Sequence, residues 1–180
     1  TPVTITIPAG QLTGASTVSV PTFDDNIGEL TETFTLVGTV TSPNTSNTDP
    51  IGTGTIDDTI NNGDFPIVTL TGTTVNEGTD VVFTATLSNP SSTDVVLTVI
   101  TNPGTASNDD INEITTPVTI TIPAGQLTGA STVAVPTIDD NIGELTETFT
   151  LVGTVTTTNT SNTNPIGTGT IEDTINNGDF

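Results

Sequence analysis

Neither lysine, arginine nor histidine occurs anywhere in the 180 residues, whereas aspartate and glutamate number 21, so the formal charge is −21. No side-chain ion pair can form in such a chain. Only water, backbone amides or bound cations can offset the charge. Nucleic acid phosphates and anionic membrane surfaces draw their protein partners through Lys and Arg, so a polyanion of this kind excludes nucleic acid as a partner and finds no hold on a membrane surface. Cysteine is absent too, which removes disulfides and thiolate metal sites and leaves the compartment unreadable from pairing. No stretch approaches the roughly 18 consecutive apolar residues of a membrane span, so membrane insertion is not expected. There is no starting Met and no charged segment leading into an apolar one. No signal peptide is read, and the chain is expected to be a window cut from a longer protein.

Tryptophan and tyrosine are also missing. Acid–base chemistry would therefore fall to carboxylates alone, and a glycosidase pair of carboxylates normally sits in a cleft with aromatic platforms for the sugar. The expectation is that the chain is not an enzyme.

What the chain does have is threonine, 46 residues of it, interleaved with Val, Ile and Leu. An apolar content of 31% with 3% aromatics and a large net charge approaches the composition of disordered chains. The order of the residues argues otherwise, because strict alternation of β-branched apolar and polar residues is the pattern of half-buried strands. The strongest internal signal is a repeat. Residues 1–65 recur as 116–180 at a constant offset of 115, with 59 of 65 positions identical. The six differences are Ser19/Ala134, Phe23/Ile138, Ser42/Thr157, Pro43/Thr158, Asp49/Asn164 and Asp57/Glu172. A period of this length is too long for one solenoid turn and suits one small β-domain. Residues 66–180 are therefore read as one complete repeat, and 1–65 as the C-terminal part of the repeat before it, supplying its last four strands.

Within the complete repeat, seven strands are expected over residues 67–75, 80–87, 95–101, 118–122, 131–137, 147–155 and 167–171. Turn residues separate them, among them Asn76-Glu77-Gly78, Asn89-Pro90, Asn102-Pro103-Gly104 and Pro123-Ala124-Gly125. Seven short antiparallel strands in about a hundred residues predict an all-β, Ig-like sandwich. Taken in order, Val75-Asn76-Glu77-Gly78, PSSTDVVLTV, GTASNDD, TPVTITIPAGQLTGASTVAV, DDNIGELTETFTL and GTGTIEDT resemble a Calx-beta domain over nearly all of the repeat. The chain departs from that pattern in having no aromatic residue after Asp109-Asp110. The resemblance implies a β-sandwich whose loops at one end bind calcium, as in exchanger regulatory domains and in very long bacterial surface adhesins.

Strands that run alternately up and down place the loops after strands one, three and five, and the end of strand seven, at one pole. Those loops hold Glu77; Asp109, Asp110 and Glu113; Asp139, Asp140 and Glu144; and Glu172 with Asp173. The opposite pole holds a single acid, Asp94. Carboxylates crowded this way raise one another's pKa or push the loops apart unless a cation joins them. Calcium takes roughly six to eight oxygen ligands from mixed carboxylate and carbonyl sources, whereas zinc and copper seek the His and Cys that are absent. Magnesium is possible but keeps its waters and prefers fewer carboxylates, so the expected ligand is Ca²⁺, held by Glu77, Asp109, Asp110, Asp139, Asp140, Glu144, Glu172 and Asp173. Asp24, Asp25, Glu29, Asp57 and Asp58 are their counterparts in the preceding repeat. Glu147 is expected to open its strand facing solvent, outside the cluster. Asp64 and Asp179, in the linker INNGDFP, lie between the acidic pole of one repeat and the neutral pole of the next, where either an ion would stiffen the joint or the segment is simply a polar hinge.

Lesser signals are the N-glycosylation sequons Asn44-Thr45-Ser46 and Asn159-Thr160-Ser161. Asp58-Thr59-Ile60 and Asp173-Thr174-Ile175 resemble an O-glycan acceptor of some bacterial surface proteins. Regular Thr faces resemble ice-binding surfaces, but Thr at alternate positions is ordinary strand composition. The reading that follows is a structural module of a long extracellular adhesin or bacterial surface filament, rigidified by calcium. Its partners would be neighbouring repeats or other copies of the protein, and a cell-surface or matrix ligand for the whole. The alternative is a module that grips a glycan or protein with its Thr/Asn-rich loops.

Overall fold

The computed structural model describes residues 2–58, 64–140 and 142–173. Their strands are β1 (Glu32–Val37), β2 (Ile51–Ile56), β3 (Val68–Gly72), β4 (Thr74–Asn76), β5 (Val81–Leu87), β6 (Val95–Asn102), β7 (Val118–Ile122), β8 (Val133–Val135), β9 (Glu147–Val155) and β10 (Ile166–Glu172). No helix forms among the described residues, and so none is long and apolar enough to cross a membrane.

Strands β3 to β10 build one sandwich. One sheet has the order β4-β10-β9-β6-β7 and the other β3-β5-β8. Period-two burial drives the assembly: in VVFTATL of β5, every second residue from Val81 to Leu87 is buried, the signature of a strand with one face on a core. Leu70, Val81 and Phe83 of the smaller sheet meet Leu97, Ile120, Phe149 and Leu151 of the larger. At the centre, Phe83 and Phe149 stand edge to face, with centroids 5.7 Å apart and planes at 65°. Truncating either ring to alanine would cost about 3–5 kcal/mol.

The first expected strand is divided. Its front part, β3, pairs antiparallel with β5, while its back part, β4, crosses to pair in parallel with β10. Thr73 manages the crossing: its N–H donates to the Val82 carbonyl, its hydroxyl oxygen accepts the Val82 N–H, and its carbonyl accepts the Thr170 N–H. Gly72 is required just before it, since a Cβ there would lie 2.4 Å from the Thr168 carbonyl oxygen and 2.7 Å from the Phe83 ring. The fifth strand is shorter than expected because Pro136 follows β8 and has no N–H for the ladder. Pro136 instead accepts the Asn112 N–H at 2.9 Å.

Residues 2–58 behave differently from their copies. Hairpin β1-β2 keeps the pairing of β9-β10, with Phe34 opposite Gly54 as Phe149 is opposite Gly169. Stretches 3–7 and 18–20, expected as strands, join no ladder. The reason is the identity of the missing partners. Copies 118–122 and 133–135 pair with β6 and β5, and residues 1–65 contain no equivalent of either, whereas β1 and β2 pair with each other.

The two units touch end to end. The Gly28 N–H donates to the Pro90 carbonyl at 2.9 Å, and the Ser92 N–H to the Gly28 carbonyl at 3.0 Å. The Asn89 side-chain amide donates to the Asn26 and Asp64 carbonyls. The Ser161 N–H and hydroxyl reach the Pro66 and Phe65 carbonyls.

Candidate metal centre

Backbone bonds first tie the acidic loops together. The turn after β4 holds Gly78 at a φ of +71°, a conformation that favours glycine. Thr79 and Thr137 bond reciprocally across it, each accepting through one oxygen and donating to the other. The loop after β6 is stitched to the stretch after β8 by an Ile111–Thr137 bridge and by the Ile138 N–H donating to the Asp110 carbonyl at 2.8 Å. The loop between β8 and β9 is held to the end of β10 by the Glu144 N–H, which donates to Asp173 Oδ2 at 2.8 Å.

On this frame Asp110, Glu144 and Glu147 each bring a carboxylate oxygen within 4.8 Å of the other two. Asp110 is buried and accepts the Ser107 N–H. Burial, and then the charges of Asp110, Asp140, Asp173 and Asp109, raise the Glu144 pKa above its ordinary value. Glu147 is pushed up to about 7, first by burial and then by the charge of Asp110 and a hydrogen bond with it. Glu77, also buried, is pushed up to about 7 by burial and by the charges of Asp173, Glu144, Asp140 and Asp139. Two oxygens, Glu147 Oε2 and Asp173 Oδ1, are buried with no hydrogen-bond partner.

Among the expected ligands, Glu77, Asp110, Glu144 and Asp173 converge on this centre. Asp139 and Asp140 are exposed at its mouth, with Asp140 Oδ1 accepting the Ile142 N–H at 2.9 Å. Asp109 is exposed and acts on Glu144 by its charge. Glu172 turns outward, as the neighbour of buried Ile171 must in a strand, and only its carbonyl takes part, accepting the Glu77 N–H. Glu113 is half-buried and outside the three-carboxylate group. Asp94 lies at the other pole, accepting the Ala124 N–H.

Glu147 is the correction. Expected to face solvent, it lies inside the cluster. The alternation of β9 carried the signal: Glu147, Phe149 and Leu151 share one face, and both apolar residues are fully buried.

In the preceding repeat the Glu29 N–H donates to Asp58 Oδ2 at 2.7 Å, as Glu144 does to Asp173. Asp24, Asp25, Glu29, Asp57, Asp58 and Asp64 line a cavity of about 200 Å³. Asp64 is buried, and its pKa is raised by burial, a hydrogen bond with Asp58 and the charges of Asp24, Asp58 and Asp25. Glu32, the counterpart of Glu147, is exposed. Asp179 and the two Asp-Thr-Ile acceptors at Thr59 and Thr174 lie outside the described residues. Of the two sequons, Asn44 is exposed, but Asn159 is buried with its amide donating to the Ser91 and Thr93 hydroxyls. It is closed to a glycosyltransferase in the folded domain.

These residues fit a hard cation. The donor set is oxygen throughout, its charge is uncompensated, and two of its buried oxygens lack partners, which costs free energy unless something binds them.

No protein-family signature and no characterised protein sequence matches the chain. Among solved structures it is similar to the apo form of the Calx CBD1 domain, at 18% identity and a TM-score of 0.45 over 60% of this chain and 98% of that one. It is similar also to CBD12 from CALX1.2, at 18% identity and a TM-score of 0.46 over 58% of this chain and 44% of that one. The same identity and TM-score relate it to the calcium-binding domain CBD12 of CALX1.1, of which it spans 45%. The chain thus spans less than half the length of the two CBD12 structures.

Proposed function

We propose that the sandwich is a non-catalytic, calcium-binding structural repeat of a long extracellular adhesin or bacterial surface filament, stiffened by Ca²⁺ at its acidic pole. The observation that carries this is the convergence of Asp110, Glu144 and Glu147 within 4.8 Å beside partnerless buried oxygens of Glu147 and Asp173, in a chain without a cationic side chain. Asp110, Glu144, Glu147 and Asp173 would hold the ion, and Glu77 would add its carboxylate from the turn after β4. When bound, calcium supplies the positive charge that the chain does not contain. The residues themselves hold four loops in register, so the ion clamps segments far apart in sequence. A spacer role is supported by the near identity of the copies and by end-to-end contacts between acidic and neutral poles. Those same contacts occupy the turn after β5, one of the loops that the alternative, a glycan- or protein-gripping tip, would need free.

The test is a thermal scan of the chain in EDTA and in millimolar Ca²⁺. Saturation at a hundredfold above the dissociation constant adds about 2.7 kcal/mol per ion. For a domain of this size that is a rise of about 10 °C or more. Equal melting temperatures would overturn the calcium reading.

A further inference from the structure

One set of side chains occurs here in two surroundings. In residues 116–173, Ile120, Ile122, Val133, Val135, Phe149 and Leu151 are at most 6% exposed. What covers them is the segment 66–115. Its β5 pairs with β8, its β6 pairs with β7 and β9, and Phe83 sits against Phe149. Leu70 presses on Gly167, where a Cβ would lie 2.9 Å from the Leu70 Cβ. The counterparts in the first unit are open. Ile5, Ile7, Val20 and Leu36 are 47%, 59%, 45% and 44% exposed, and nothing lies within 4 Å of the Cβ position at Gly52, the counterpart of Gly167. Val18, Val20, Phe34 and Leu36 line a groove of about 230 Å³ where Leu70 and Phe83 stand in the complete repeat. An apolar sheet face beside unpaired strand edges is a surface that soluble proteins keep covered.

We propose that residues 2–58 form an interaction surface for a strand segment of the kind found at 66–115, joined ahead of residue 1 in an array of these repeats. The face is chemically the same as one that such a segment already fits, since 59 of 65 positions are identical. Counting fixes the source. Residues 1–180 hold two such faces and one covering segment, so a second copy of the chain that lends its own segment opens one face as it closes another. Only a further covering segment closes both, by the strand addition that recruits a peptide to a sheet edge.

The experiment compares chain 1–180 with the same chain carrying a copy of residues 66–115 fused ahead of Thr1, both in millimolar Ca²⁺. Amide hydrogen exchange and sedimentation are the readouts. The fusion should slow exchange at Ile5, Ile7, Val18, Val20 and Phe34 by at least tenfold, abolish binding of a hydrophobic dye to this face, and sediment as a monomer. The same fusion with Phe83→Asp in the added segment should give none of these gains, while exchange in 66–173, which keeps its own Phe83, stays unchanged as an internal reference. The proposal is overturned by equal exchange at the five amides with and without the fusion. It is overturned equally if the Phe83→Asp segment protects as well, or if chain 1–180 alone is a dimer in which those amides are already protected by a second copy.

Discussion

Glu147 and Glu77 show how a carboxylate can be placed at a cost. Both titrate near 7 in the folded domain instead of at 4.5, mainly because they are buried among other acids. Between pH 4.5 and 7 the fold therefore holds protons that the unfolded chain has already released. Each upward step in pH across that window lowers stability, and the penalty is complete above 7 and absent below 4.5. In EDTA the melting temperature at pH 5 should exceed that at pH 8. Calcium should flatten or invert this trend, because it favours the ionised carboxylates and competes with protons. A melting temperature in EDTA that rises with pH would contradict the burial of these groups. Replacing Glu147→Gln should have opposite effects in the two media. Without calcium it removes one charge from the crowded triad and should stabilise the domain. With calcium it removes a ligand and should weaken binding by at least tenfold, since even the residues behind metal ligands typically cost about 10–100-fold. Asp94→Asn, at the other pole, should leave calorimetric affinity unchanged. The sequence marked the loop acids because they stand in loops, but it masked Glu147, whose place in the cluster appears only when strand parity is followed back from Phe149 to the start of β9.

Strand existence was legible because alternation is local: VVFTATL and VTITI show their buried faces without knowledge of any partner. Pairing was less legible. The stretch 67–75 reads as one strand, yet it serves two sheets, and what divides it is a close backbone approach at Gly72 that no side-chain pattern reports. The hairpin β1-β2 and the unpaired stretches 3–7 and 18–20 show the same limit from the other side, since identical residues form a strand or not according to whether β5 and β6 stand beside them. Gly72→Val tests the crossing. The new side chain would meet the Thr168 carbonyl and the Phe83 ring, and overpacking of this kind typically costs about 1–3 kcal/mol. Urea denaturation of the chain should show the midpoint fall by a corresponding amount. An unchanged midpoint would mean that β3 passes β10 less closely than described.

Strand order together with the positions of the acids implied that one pole would be acidic and the other neutral, and the structure adds how they meet. The neutral turn after β5 does not merely face the acids of the preceding repeat. It hydrogen-bonds to the backbone of the loop that carries them, through Gly28 and Asn26, and Ser161 holds the Phe65-Pro66 linker. The loop shape that presents Asp24, Asp25 and Glu29 is thus also the shape that docks the next domain, and an ion that orders the loop would order the joint. Gly28 is tightly enclosed there, since a Cβ would lie 2.7 Å from both the Asp64 carbonyl oxygen and the Pro66 ring. Gly28→Val should therefore loosen the joint without touching the sandwich core, since Gly28 lies outside the buried cluster. Small-angle scattering in calcium should show a broader distribution of end-to-end distances for the variant, with the melting of 66–173 unchanged. In the unaltered chain, EDTA should broaden the distribution in the same direction. If the variant scatters as the parent does, the contacts at Gly28 do not hold the two units in line, and the stiffness of an array would have to come from the linker alone.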